Sequence, residues 1–365
     1  MEPVTHFLTG ACLGRSGLNR TTAYATLTMV LAAEAPDVDM FWFFRGRLAE
    51  FEHHRGITHT FLGAPFMALG VTSAIWLWHR WRTRNRDEQT TSHASIHLTK
   101  AGNTPPVRWG WIWFLALLAD LSHILLDWTN NYGVRPFFPF NPHWYAGNIF
   151  FLFEPVLFGA LLIAMLMPAI LGLADREIGV RRPAFRGRGW AIFALCCGVM
   201  LGCWRWAEHD RALHLLAEQS YQNEPVLKMT VNPYPGDPFE WFGIVETKDF
   251  YQTALLNTRT DSFTSQVPDD LYYKQPQTLA ILAAKRSWLG QVFLDWSKFP
   301  HVEENGVFGT LPNGAHYTRV QFQDLRFAYS VLFLRGGMNS PLSGVVTIAP
   351  DGTVDEMEMG GEVQK

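Results

Sequence analysis

The stretch Trp109–Trp128, WGWIWFLALLADLSHILLDW, decides how this chain is read. Its residues are mostly apolar, and it has the length that an α-helix needs to cross a bilayer core of roughly 30 Å. Inside that run stand Asp120, His123 and Asp127. Their i, i+3 and i+7 spacing puts all three on one face of a helix. Carboxylates and an imidazole within a membrane are costly unless paired or hydrated, so they are read first as a functional site. A lone His123 would be read as a satisfied core histidine. Two carboxylates on its own face turn that reading toward a ligand.

Outward from this span, three more segments have membrane length: Thr60–Trp81, Ile149–Leu173 and Trp190–Trp206. The last has Trp at both ends, where interfacial anchoring favours it. Val4–Leu13 and Thr21–Ala33 are apolar but too short to span alone, and the second runs into Pro36, Asp37 and Asp39 before the aromatic run FWFF. Two short helices packed as a hairpin, or a broken span, are expected there, followed by an irregular APDVD segment. Irregular polar backbone at membrane depth is tolerated only where it is buried in protein or lines a cavity. The expected first domain is therefore residues 1–206: an α-helical integral membrane domain with four spans and an N-terminal short-helix hairpin.

The rest of the chain is different. Residues 207–222 read as an amphipathic linker helix. Residues 223–365 read as a small, mostly-β domain, with alternating segments such as HYTRVQFQDL, YSVLFLR and SGVVTIAP, and a hairpin turn at Asp351-Gly352. Basic residues set the orientation. Arg82, Arg84, Arg86, Lys100 and Arg108 follow one span, and Arg176, Arg181, Arg182, Arg186 and Arg188 follow another, so both loops are expected to be cytoplasmic. The Tyr132–Asn148 loop carries only Arg135 and should face outward, as should the β-rich domain. A formal charge of -3 over 365 residues gives no reason to expect nucleic acid. The four cysteines all lie in the apolar half and read as free thiols.

The loop HHRGITH, residues 53–59, then gains a partner. With the spans so oriented, His54 and His59, Asp37 and Asp39, the outer end of the Asp120/His123/Asp127 helix, and His6 in the first short helix all come to one level of the membrane. Imidazole plus carboxylate suits a divalent metal, Zn²⁺ above all, with Mn²⁺ or Fe²⁺ as alternatives. Expected ligands are His54, His59, His123 and Asp127, then His6 and Asp39. Asp120 would orient an imidazole. Asp37 would be a ligand or a general base. Arg55 would hold a phosphate or another anion. Glu154 and His143 lie at the same outer level and are ambiguous. As plain structure, Asp37 and Asp39 would be turn formers after Pro36, and His53 an exposed neighbour.

His6, PDVD at 36–39, HRGITH at 54–59 and the DLSHILLD span, in this order, resemble the YdjM-type membrane-bound predicted metal-dependent hydrolases over roughly residues 1–175. The resemblance implies a bacterial inner-membrane protein with a metal site. His123 and Asp127, as an H-x-x-x-D pair, are also distantly similar to the zinc-dependent phospholipase C/P1 nuclease group. That likeness implies a phosphoester substrate and further zinc ligands at His6, Asp39 and His59. The expectation is a membrane-bound hydrolase whose metal-activated water attacks a phosphoester or other ester, with membrane lipid as partner and a lipid-borne substrate as one option. The competing expectation is a transporter or ion-handling protein that uses the same His/Asp cluster. A structural membrane protein, held together by the cluster, is a third.

Overall fold

The computed structural model describes residues 1–90, 105–177, 187–310, 316–329 and 342–364. The basic loop residues Lys100, Arg181, Arg182 and Arg186, and most of YSVLFLR, lie outside the described residues. The chain forms two compact units. One comprises Met1–Asp39 and Arg55–Cys203; the other comprises Met40–His54 and Trp204–Lys365.

The first unit is helical. Helix α1 (Pro3–Arg15) and helix α2 (Ala25–Glu34) form the expected hairpin. Gly10 and Gly14 lie on the face of α1 that meets α2; a Cβ at Gly14 would sit 2.8 Å from Thr26 Cα. Small residues four apart let two helices approach closely in a membrane. His6 is one turn before Gly10 on the same face, so the same close approach carries it inward. After α2 the chain tightens into a 3₁₀ run over Ala35–Arg45. Such runs rarely exceed a few residues, and this one carries Asp37 and Asp39.

Helix α5 spans Trp109–Trp128, the residues expected from the sequence. Its small and apolar residues Leu115, Ala116 and Ala119 pack with Met29, Ala32 and Ala33 of α2 and with Ala68 of helix α4 (Ala64–Thr90). Helix α6 (Pro155–Glu177) begins six residues later than the apolar run suggests. Residues before it are held extended, with Ile149 and Phe150 N–H groups donating to Thr129 C=O. Helix α7 (Arg188–Ala217) runs on without a break past Trp206, absorbing most of the expected linker helix.

Three described helices are long and apolar enough to cross a membrane: Trp109–Trp128, Pro155–Leu173 and Arg188–Ala217. A fourth counts only if Arg47–His59 and Ala64–Arg84 are taken together as one bent span. The Thr60–Trp81 segment does not begin as helix. Thr60 is extended, and its Oγ1 donates to Ile57 C=O and accepts from Gly63 N–H, which closes a turn before α4 starts. Much of each spanning helix faces outward with apolar side chains, such as Val156, Phe193 and Val199, as lipid contact requires.

The second unit is mostly β, in two antiparallel five-stranded sheets. The first is ordered β1 (Lys228–Pro233), β2 (Glu240–Glu246), β3 (Phe250–Asn257), β4 (Ser262–Thr264), with β5 (Leu271–Tyr273) also on β3. The second runs β10 (Glu362–Gln364), β9 (Val354–Met359), β8 (Ser343–Ile348), β7 (His316–Asp324), β6 (Pro300–Thr310). The Asp351-Gly352 turn joins β8 and β9, with Gly352 at φ 85°, a conformation glycine adopts without steric cost. Two short helices, α8 (Leu279–Arg286) and α9 (Trp288–Trp296), cover the second sheet, with Phe293 of α9 against Phe322 of β7. Residues Met40–His54, including helix α3 (Arg47–His53), also belong to this unit. Phe51 packs on Phe293 and Trp296, and Trp288 Nε1 donates to Glu52. No local pattern in residues 40–54 signals that this loop would leave the helical unit.

Candidate metal centre

The centre lies in the helical unit. It is built by four segments: the 3₁₀ run after α2, the short 3₁₀ turn Ile57–His59, helix α5 and helix α1. One donor atom each from Asp37, His59, His123 and Asp127 lie within 4.8 Å of one another. His59 and His123 face each other through their Nε2 atoms at 3.1 Å. Asp37 Oδ1 is 3.4 Å from His59 Nε2 and 3.5 Å from His123 Nε2. Asp127 Oδ2 is 3.5 Å from each of the two. A tetrahedral ion with bonds of about 2.0–2.1 Å has ligand–ligand edges of roughly 3.3–3.4 Å. The residues fit such an ion.

The outer atoms of both imidazoles say which nitrogen is left for a metal. His123 Nδ1 is 2.6 Å from Ala33 C=O. A carbonyl only accepts, so Nδ1 carries the proton. That carbonyl is free because it lies in the last turn of α2, where helical partners run out. His59 Nδ1 faces Asp39 Oδ2 at 3.2 Å, with Thr58 Oγ1 at 3.1 Å. Asp39 Oδ2 also accepts from Arg55 N–H at 2.8 Å and Thr58 Oγ1 at 3.1 Å. With both Nδ1 atoms protonated, the two imidazoles in their neutral form turn Nε2 lone pairs toward one another. Facing lone pairs in a buried site repel unless a cation lies between them.

Burial separates the four. The side chains of His59, His123 and Asp127 are 0–1 % exposed, while Asp37 is 17 % exposed. Asp37 therefore marks the open side. The other oxygen of Asp127, Oδ1, pairs with Arg55 Nη2 at 2.9 Å and with the Met1 amino group.

The remaining expected residues fall in distinct places. His6 is fully buried, stacked on His123 with ring centroids 3.7 Å apart, and its Nε2 is 3.3 Å from Asp127 Oδ1. Asp39 stands behind His59, on the nitrogen turned away from the cluster. Asp120 is buried on α5, with no hydrogen-bond partner for either oxygen among the described residues. It sits seven residues before Asp127, about 10 Å along the helix, too far to share an ion with it. His54 closes α3 in the other unit and is not one of the four grouped donors. His53 Nδ1 pairs with Ala49 C=O and its ring stacks on Trp42, in keeping with a bystander. Arg55 is buried, its Nη1 donating to Gly133 C=O at 2.9 Å and Asn130 Oδ1 at 3.2 Å, its guanidinium over the Tyr132 ring. Its Nη atoms are thus engaged by the protein and do not stand open to an incoming anion. Glu154 Oε1 accepts from Val156 N–H at the start of α6, and His143 packs edge-on against Tyr145.

Sequence reading missed Thr58, Asn130 and the Ala33 carbonyl. Thr58 lies inside HRGITH, and the polar pair Asn130-Asn131 directly follows a span, so both left a signal. A backbone carbonyl leaves none.

The family model of the YdjM inner membrane protein matches residues 1–212, further than the quoted motifs reach. A relative from Bacillus subtilis (strain 168), "Uncharacterized protein YfhP", is 25 % identical over 166 residues, covering 43 % of this chain and 43 % of that protein. No solved structure matches. The distant likeness to the phospholipase C/P1 nuclease group is not shown by any of them. With the family model covering more than half of its length and all of the clustered residues, this chain belongs to the YdjM inner membrane protein family.

Proposed function

We propose that the chain is a membrane-bound metal-dependent hydrolase. The observation that carries this reading is the pair of imidazole nitrogens, His59 Nε2 and His123 Nε2, facing each other at 3.1 Å with their protons committed elsewhere. His59, His123 and Asp127 would hold a divalent ion, Zn²⁺ best of all given the tetrahedral spacing. Such an ion, when bound, lowers the pKa of a water toward about 7 and so supplies hydroxide at neutral pH. Asp37, the exposed member, faces the side from which water and substrate arrive. With a water instead of Asp37 as the fourth ligand, Asp37 Oδ1 would take up the proton released there. Asp39 and Thr58 hold the His59 ring in place, and Ala33 C=O holds His123. Asp120 would act deeper in the helix, away from the ion.

A phosphoester or other ester is the substrate class this chemistry serves. A lipid-borne substrate is favoured by a site assembled among membrane helices. The same reading makes the chain a multi-pass protein of a bacterial inner membrane with its β unit on the outer side; the basic residues around Arg82–Arg86 and Arg176–Arg188, against the single Arg135 of the Tyr132–Asn148 loop, support it. A second reading, an ion-handling protein, is favoured by Asp120, a buried carboxylate with no partner among the described residues.

The test is purification in detergent, metal counting, and a screen of phosphoesters and lipid esters, repeated with His59→Ala and Asp127→Ala. Bound metal and turnover in the parent, both lost in the variants, support the hydrolase. A metal-free parent after metal-replete purification would sink it. Ion flux into proteoliposomes without ester turnover would select the second reading. A reporter fused after Lys365 that is active on the cytoplasmic side would overturn the orientation.

A further inference from the structure

Arg55 is held in a way that the proposed chemistry does not need. Its φ is +55°, a left-handed conformation that a non-glycine residue keeps only where its surroundings impose it. The imposed geometry lets one residue reach two carboxylates. Its N–H donates to Asp39 Oδ2, behind His59, and its guanidinium pairs with Asp127 Oδ1. Gly133 C=O, Asn130 Oδ1 and the Tyr132 ring fix the guanidinium from its other sides.

That placement covers the face of Asp127 on which a second ion would bind. Asp127 Oδ2 faces the two imidazoles, so a second ion would have to bridge through Oδ1. The next ligand is already in place: His6 Nε2 is 3.3 Å from that same oxygen, and both His6 nitrogens lack a hydrogen-bond partner among the described residues. The makings of a two-ion site are present, and fixed cations, the Arg55 guanidinium with the Met1 amino group beside it, stand in the second position.

The charges agree. The carboxylates within 3.5 Å of the imidazoles are Asp37, Asp39 and Asp127, three negative charges. Arg55 and one divalent ion cancel them. The Met1 amino group and Asp120 add one charge of each sign and leave the sum unchanged. A second divalent ion would leave two uncompensated positive charges in a buried site, which is strongly unfavourable. We propose that this site takes a single divalent ion, and that Arg55 sets the number by occupying Asp127 Oδ1. The inference rests on the site binding a divalent ion at all.

Zinc counting on the full chain tests it. The detergent-purified parent, Arg55→Lys, Arg55→Gln and the His6→Ala/Arg55→Gln double variant are loaded with excess Zn²⁺, freed of loose metal by gel filtration, and analysed for zinc per chain. The parent and Arg55→Lys should hold one. Arg55→Gln, with retained elution volume and thermal transition, should hold two, and the double variant should return to one. Two ions in the parent, one in folded Arg55→Gln, or two in the double variant would overturn the proposal. Zero in the parent would instead strike the hydrolase reading. Should Arg55→Gln not fold, Co²⁺ titration of the parent decides. Tetrahedral absorption that saturates at one equivalent supports the single ion, and growth to two overturns it.

Discussion

Two buried charged clusters, one in each unit, are built on opposite plans. In the β unit, Asp324 and Arg326 are two residues apart and both fully buried. Asp324 accepts from Arg326 N–H, Nε and Nη2, from Ser297 Oγ and from Lys298 N–H. Its oxygens are satisfied, and the guanidinium also lies over the Trp296 ring. In the helical unit, the cluster draws on segments more than a hundred residues apart. It leaves His6, Asp120 and Asp127 Oδ2 without hydrogen-bond partners among the described residues, and it sets two imidazole nitrogens face to face. A buried pair that satisfies its own hydrogen bonds holds a fold together. One with acceptors to spare is arranged for something that is added to it.

Removing one carboxylate from each cluster is the strongest way to break that contrast. Asp127→Ala and Asp324→Ala each strand a buried guanidinium, and each should destabilise its unit by roughly 3–5 kcal/mol. The difference lies in metal content: denaturation profiles should fall for both, while bound metal is lost only with Asp127→Ala. If Asp324→Ala also empties the site, the two clusters are not independent and the contrast fails. Thr58→Val sharpens the comparison with a smaller effect. It removes a donor to Asp39 and a neighbour of His59 Nδ1, so stability should drop by about 1 kcal/mol. Metal affinity, read by competition with a chromophoric chelator, should drop by about tenfold; unchanged affinity would mean that Thr58 does not hold the ring. A third prediction concerns the β cluster alone. Burial, then the neighbouring Arg326 and Lys228, pushes the Lys298 ammonium from 10.5 down to about 8. Between those two values the unfolded chain binds more protons than the folded one, so stability should rise with pH across that window. Lys298→Met should remove the rise, measured as the difference between the two proteins' unfolding midpoints against pH. An identical slope in both would place the titration elsewhere.

Much of the site was legible along the chain, and the remainder was not for definite reasons. His123 and Asp127 are one helical turn apart on a long apolar helix, so periodicity alone puts them side by side. The same periodicity also offered Asp120. A helix rises about 1.5 Å per residue, and the shared face did not show that Asp120 stands too deep to join. His54 and His59 looked equivalent within one loop. They part because the chain turns at Arg55 in a left-handed conformation: His59 enters the cluster, and His54 ends a helix that packs with the β unit. Arg55 was expected to meet an anion from solution, and it meets one from the protein, Asp127. Only folding brings those two together.

By itself the sequence determined that the first two hundred residues hold several apolar segments of membrane length, that a β-rich region follows, and that His and Asp stand where lipid would not tolerate them without partners. These follow from length, period and the cost of burying charge, which are local properties. Tertiary structure decided the rest: which histidines face each other, which carboxylate stands behind an imidazole, and that residues 40–54 belong to the β unit. Those outcomes depend on close approach between distant segments, such as α1 against α2 at Gly10 and Gly14. No local pattern encodes which side chains such an approach will bring face to face.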